Sequence, residues 1–198
     1  MTEKKLFTSE SVSEGHPDKV CDQIADSVLD ACLKDDPNAH VACEVFASEN
    51  VVIVGGEINN ASHIDIEQIV KDVLKDIGYD KDEYGTNYQT VKVINLVKNQ
   101  SEDINQGVNQ EDDTQKGAGD QGIMFGFASD ETKGYMPLAI VIAHKLVREA
   151  TRLRKNKQFK YARPDMKSQV TIDYSDPNNI KVDTVLMSIQ HDDNIDLD

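Results

Sequence analysis

The sequence predicts an α+β protein built from two-layer β-α-β-β-α-β-type units, with mixed sheets and helices on one face. Three observations carry that reading. Apolar residues recur at helical spacing in three separate windows. Between them lie short runs that alternate apolar and polar residues or are continuously apolar. Helical and strand windows interleave along 198 residues, with no internal repeat strong enough to count.

The first helix begins in "EGHPDK" at 14–19. Val20, Ile24, Val28 and Ala31/Cys32 then fall on one side, and Asp22, Asp26 and Asp30 on the other. Pro17 suits a first turn, where its missing N–H is no loss. Residues 40–47 and 51–58 read as strands joined by a turn at "SEN". Val51 to Val54 is continuously apolar, so this reading covers that strand on both faces. Ile66, Ile69/Val70, Val73/Leu74 and Ile77 mark a second helix, stopped by Gly78. A strand follows at 90–98. Residues 99–121 are polar and rich in Asn, Gln, Asp and Gly, which predicts a long loop, of the length that is either functional or disordered. "IMFGFAS" at 123–129 reads as a strand. A third helix runs from about Pro137 to Leu153, with Ile142/Ala143, Leu146/Val147 and Ala150 on one side. Strands at 168–174 and 181–190 follow, and the chain is expected to stop early, in a polar, acidic tail.

Composition narrows the function classes. Hydrophobic content is 38% and charged content 29%, the profile of a soluble globular chain rather than a disordered one. No apolar run approaches the roughly 18 residues that span a bilayer, so no membrane partner is expected. The N-terminus lacks the apolar core of a secretory signal. Cys21, Cys32 and Cys43 are odd in number and form no CxxC pair, which reads as reduced thiols in a cytoplasmic protein. The net charge of −15 argues against a nucleic-acid partner. Seven of the twenty-one Lys and Arg residues nevertheless lie between Arg152 and Lys167. Those from Arg152 to Lys160 read as a solvated helix end favoured by the helix dipole.

Three stretches suggest a polyphosphate and metal site. His16 and Asp18 sit at a helix N-terminus, whose free N–H groups and dipole favour phosphate. A histidine at a helix start is more often a cap or a surface residue, which is the ordinary reading of His16. A carboxylate beside phosphates can take Mg²⁺. "GAGDQG" at 117–122 surrounds Asp120 with glycines, without the Walker A or dinucleotide-binding pattern. "RPDMKSQV" at 163–170 places Asp165 and Lys167 just before a strand, two apart and so on one face if extended. A surface ion pair is their ordinary alternative. Glu44 in an alternating strand and Glu57 after paired glycines are either cation-holding carboxylates or solvated side chains.

These stretches resemble one family. "LFTSESVSEGHPDKVCDQIADSVLD", "VACE", "VGGEI", "KNQSEDINQGV", "GAGDQGIMFGFA" and "RPDMKSQVT" stand in the order found in S-adenosylmethionine synthetases, the methionine adenosyltransferases. The resemblance covers essentially the whole chain. It implies that ATP and L-methionine are the substrates. The methionine sulfur attacks C5′ of the ribose and displaces triphosphate, which is hydrolysed to pyrophosphate and phosphate. It implies Mg²⁺ and K⁺ as cofactors, pseudo-threefold units, and a homodimer or homotetramer with active sites between subunits.

Carried onto this sequence, His16 would contact the triphosphate, Asp18 would ligate Mg²⁺ and Glu44 would hold K⁺. Glu57, Gln100 and Asp120 would bind methionine, while Asp165 and Lys167 would bind ATP. His16, Asp18 and Lys167 would form the catalytic set. The loop from about Gln100 to Asp112 would be the gate. The implied domains are residues 1–13 with 130–198, residues 14–101, and residues 102–129, each incomplete. Family members run to nearly twice this length, so the resemblance implies a truncated chain with exposed apolar surface. Its alternative is a non-catalytic partner or regulator of a full-length synthetase. A generic Mg²⁺-dependent nucleotide-binding protein is what the stretches suggest without the resemblance.

Overall fold

The computed structural model describes residues 4–59, 64–99 and 121–195. Strand β1 spans Leu6–Val12, helix α1 Pro17–Asp35, β2 Val41–Ser48, β3 Val51–Ile58 and α2 Ile66–Ile77. They are followed by β4 at Lys92–Asn99, α3 at Leu138–Lys155, β5 at Ala162–Asp173 and β6 at Lys181–His191. The class is α+β, with two three-stranded sheets ordered β1-β5-β6 and β2-β3-β4. Contacts divide the chain into two compact units, Met1–Lys19 with Gly126–Asp198, and Val20–Phe125.

In the Val20–Phe125 unit, β2 and β3 form the expected hairpin, pairing from Val41↔Ile58 to Ser48↔Val51. β4 adds parallel to β3 after the crossover through α2. Val20 and Ile24 of α1 pack with Val52 and Val54 of β3 and with Val70, Leu74 and Ile77 of α2. Each such side chain, withdrawn from water, contributes about 1.5–3 kcal/mol. Asp65 caps α2 by accepting from the Gln68 N–H, and Gly78 ends it in the left-handed conformation. The reading of β3 as covered on both faces is corrected: Val52 and Val54 are buried, but Val51 and Ile53 are only half-buried. Both helices pack against one face of the sheet, so the other carries Phe46, 62% exposed, and Leu96, 57% exposed.

In the other unit, β1 pairs antiparallel with β5 from Leu6↔Asp173 to Val12↔Lys167. This strand escaped the sequence reading because its serines and glutamate mask the alternation. α3 lies across β1 and β5. Ala139 and Ala143 meet Val170 and Ile172, and Ala150 meets Met166. Small residues let the helix approach closely, and the Ser168 hydroxyl donates to the Ala143 carbonyl over 2.8 Å. The α3 N-terminus has no side-chain cap at Pro137. Glu131 substitutes, accepting from the Leu138 N–H and from the Tyr174 hydroxyl. Burial, and then the Glu131 carboxylate, push that phenol up to about 12. β5 begins at Ala162, six residues before the expected start, so Asp165 and Lys167 lie inside a strand.

The expected strand over 123–129 is not formed. A strand exists through its hydrogen-bonded neighbours, and among the described residues none pairs with this segment. Ile123, Met124, Phe125 and Phe127 are instead exposed. Cys21, Cys32 and Cys43 are free thiols, and burial pushes Cys43 up to about 11. Among the described residues no helix is long and apolar enough to cross a membrane. The polar stretch 100–120, with Gln100, Asp120 and the whole of the expected gate, lies outside the described residues.

Gly56 lets β3 pass the β2 backbone immediately before Glu57. Its φ is +125°, and a Cβ there would lie 2.0 Å from the Ala42 carbonyl oxygen. Gly56→Ala is therefore expected to destabilise the fold by about 1–3 kcal/mol or more. A fall in the urea midpoint with an unchanged slope is the expected reading.

Candidate functional site

The α1 N-terminus and strand β5 bring four of the sequence-identified residues into one unit: His16, Asp18, Asp165 and Lys167. His16 occupies the helix cap. Its Nδ1 accepts from the Asp18 backbone N–H at 3.2 Å. An accepting Nδ1 in the neutral ring places the proton on Nε2, which is then a donor. The capping alternative thus coexists with the functional one, because capping uses one ring nitrogen and leaves the other. Asp18 projects with its side chain 88% exposed, and its Oδ2 lies 3.9 Å from His16 Nδ1.

β1 and Ser13 set this corner against β5. Val12 pairs with Lys167, and the Ser13 N–H then donates to the Met166 carbonyl at 2.9 Å. The Ser13 hydroxyl donates to the Pro164 carbonyl at 2.7 Å, and the Met166 N–H donates to the same hydroxyl at 2.8 Å. Both peptide groups flanking Asp165 are therefore tied to one buried serine. Pro164, Met166 and Ser168 point inward, while Asp165 and Lys167 share the opposite, more open face. Burial raises the Asp165 carboxyl above the ordinary value of 3.8, and the His16 ring, when protonated, partly opposes the rise. Lys167 Nζ lies 2.8 Å from Glu10 Oε2, diagonally across the β1–β5 ladder. A ligand anion reaching Lys167 thus competes with Glu10.

Glu44 and Glu57 belong to the other unit. Both are exposed on the sheet face that the helices leave open. Glu44 pairs with Gly55, and Glu57 with Ala42 two residues from Glu44, so the two carboxylates share that face. Among the described residues no three His, Cys, Asp or Glu side chains gather as a metal cage. An open carboxylate such as Asp18 still fits Mg²⁺ of the kind completed by substrate phosphates. Glu44 offers one oxygen donor group of the hard type that K⁺ takes.

Sequence reasoning missed Glu10, Ser13 and Glu14, and took Arg154 and Lys155 for a solvated helix end. Arg152 fits that description, pairing with Glu149 one turn back. Arg154 and Lys155 instead grip Glu14. The concentration of cations between Arg152 and Lys167 was the one available signal.

The family model for the S-adenosylmethionine synthetase N-terminal domain matches residues 4–102, and that for its central domain matches residues 115–198. The S-adenosylmethionine synthase of Mycoplasma capricolum is 62% identical over 192 residues, covering 97% of this chain and 49% of the relative. That of Mesoplasma florum is 59% identical over 190 residues, covering 96% and 50%. That of Treponema denticola is 51% identical over 189 residues, covering 93% and 49%. The chain spans about half the length of the curated relatives it matches.

Two expectations follow from the geometry. Glu10→Gln frees Lys167 from an exposed pair, and such pairs are worth up to about 1 kcal/mol. Titration calorimetry with metal-free inorganic tripolyphosphate is expected to show a few-fold tighter binding. Asp165 is held above its ordinary value, so its ionised form costs stability. The penalty is absent below the ordinary value and complete once the pH has risen past the raised one. Asp165→Asn is expected to melt higher than the parent at pH 7, with the gap closing as pH falls below about 4.

Proposed function

Because this chain belongs to the S-adenosylmethionine synthetase family, we propose that it serves the synthesis of S-adenosylmethionine from ATP and L-methionine. The observation that carries the proposal is the α1 N-terminus, with His16 and Asp18, standing in one unit with Asp165 and Lys167 on β5. A helix N-terminus, a ring N–H donor, an open carboxylate and a lysine make a set suited to a polyphosphate carried with Mg²⁺.

In this reading the methionine sulfur attacks C5′ of ATP. Triphosphate leaves and is then hydrolysed to pyrophosphate and phosphate. A thioether sulfur is neutral and nucleophilic, so no general base is required. The protein's task is to align sulfur with C5′ and to stabilise the departing charge. His16 Nε2–H donates to the triphosphate, and Lys167 leaves Glu10 to meet it. Asp165 binds the nucleoside part of ATP, where burial sharpens its hydrogen bonding. Asp18 would hold Mg²⁺ and Glu44 would hold K⁺. Bound Mg²⁺ would supply charge neutralisation on the phosphates. Glu57, Gln100 and Asp120 are assigned to methionine, and the segment from Gln100 to Asp112 to a gate over it.

The same reading assigns the assembly. Pseudo-threefold units are divided as residues 1–13 with 130–198, 14–101 and 102–129. A homodimer or homotetramer carries active sites between subunits. Its setting is the cytoplasm, in keeping with three free thiols. A second reading is favoured by the exposed Ile123, Met124, Phe125 and Phe127. In it the chain acts as a non-catalytic partner of a full-length synthetase that covers them.

The chain is mixed with ATP, L-methionine, Mg²⁺ and K⁺, and product is followed by mass spectrometry alongside the intact protein mass. S-adenosylmethionine is expected, with Lys167→Ala lowering kcat/KM by about 10²–10³. Product that forms only after a longer synthetase subunit is added would favour the second reading. ATP turnover indifferent to methionine would refute both.

A further inference from the structure

We infer that Glu14, Arg154 and Lys155 form a positioning clamp that sets His16 at its working place beside β5; this rests on the phosphate-site reading above. Glu14 Oε1 lies 2.5 Å from Arg154 Nη2, and Oε2 lies 2.8 Å from Lys155 Nζ. The Glu14 and Arg154 side chains are only 17% and 12% exposed. This is a largely desolvated pair, unlike the open Arg152–Glu149 pair beside it, where each side chain is more than half exposed. The partners are 140 residues apart in sequence.

The clamp acts on a short, tightly held turn. The His16 N–H donates to the Ser13 carbonyl at 3.2 Å. The Ser13 hydroxyl is fixed to β5 on both sides of Asp165. Gly15 presses on Pro164 so closely that an added Cβ would lie 2.4 Å from its backbone carbon. Residues 13, 14 and 15 are thus each anchored separately, and His16 is the next residue. Ser13 and Gly15 are anchored to β5, and Glu14 to the C-terminal end of α3. The clamp also holds two cations on a carboxylate. Left loose, they could draw a polyphosphate away from His16 and Lys167.

Charge alone and positioning predict opposite signs. Glu14→Gln removes a negative charge next to an anion site, so the field alone would tighten polyphosphate binding. Release of the turn would loosen it, because a displaced His16 loses its charge-assisted contact.

The test is calorimetry of the full chain with metal-free inorganic tripolyphosphate, with melting curves as the control for folding. Glu14→Gln and Arg154→Met are each expected to weaken binding roughly tenfold, where Glu10→Gln strengthens it. Arg154→Lys should recover part of the loss. If Glu14→Gln does not fold, Glu14→Asp replaces it: the charge is kept, so the field alone predicts no change, whereas the shorter side chain, drawn back from Arg154 and Lys155, should weaken binding. Unchanged or tighter binding in a folded Glu14→Gln or Glu14→Asp variant overturns the clamp. Should the parent chain bind no tripolyphosphate, the phosphate-site reading fails. The clamp is then decided by the His16 ring resonances, which should move in Glu14→Gln while those of His40 and His191 stay. Unmoved His16 resonances overturn it.

Discussion

The pairing of β1 with β5 is the constraint on which the site depends. It joins residues 6–12 to residues 167–173 and so brings the start of α1 to the middle of β5. Ladder hydrogen bonds contribute modestly one at a time, but they fix register, and a one-residue slip would turn Lys167 to the opposite face. Ser13 carries the ladder past the end of the strand with its side chain. The backbone beside Asp165 is thereby as determined as that inside the sheet. α3 closes the arrangement from the other side, through Ala139 and Ala143 against Val170 and Ile172. Such a frame keeps its geometry before any ligand arrives, which is what electrostatic stabilisation of a leaving group needs.

Electrostatics runs against the average charge of the chain. At −15 overall, the protein gathers cations near residues 152–167 and then occupies them: Lys167 with Glu10, Arg154 and Lys155 with Glu14. The two pairings differ in kind. Lys167 and Glu10 are each nearly half exposed, so their attraction is weak and readily exchanged for a ligand. Glu14 and Arg154 are largely desolvated and resist exchange, because either one left alone would be a largely buried charge, while Lys155 adds a second, more open contact. One pair suits a binding group and the other suits a support. Asp165 differs from both: it is partly buried, and that burial raises its carboxyl above the ordinary value.

Much of the fold was legible in the sequence, because local signals and tertiary demands agree. Val20, Ile24, Val28 and Cys32 keep helical spacing and all are buried, and Gly78 stops α2 where expected. The hairpin of β2 and β3 was equally plain. What escaped is non-local. β1 is a strand because β5 pairs with it, and its own residues, LFTSESV, carry little β pattern. Residues 123–129 have the composition of a strand but no partner among the described residues, so composition misled. His16, Asp18, Asp165 and Lys167 could be named from their motifs. Glu10, Ser13 and Glu14 could not, since their partners are more than a hundred residues away.

Among the described residues each sheet has helices on one face only. A sheet with helices on one face has another face to account for, and here the two units solve the problem differently. In the unit containing β5, the face opposite α3 is mostly polar and carries Asp165 and Lys167, the two residues proposed to bind ATP. α3 packs mainly on β1 and β5, and Val182 and Val185 of β6 are about half exposed. In the other unit the open face mixes Phe46 and Leu96 with Glu44 and Glu57. Apolar area of that kind gains free energy when covered, at about 25 cal/mol per Å². Carboxylates on the same face gain only if the covering surface brings cations or hydrogen-bond donors. A surface that covers Phe46 and Leu96 must therefore also provide for Glu44 and Glu57. Were a partner surface and a cation or ammonium group both to engage that face, the two events would be coupled, because the group that satisfies the carboxylates lowers the cost of closing the apolar contact.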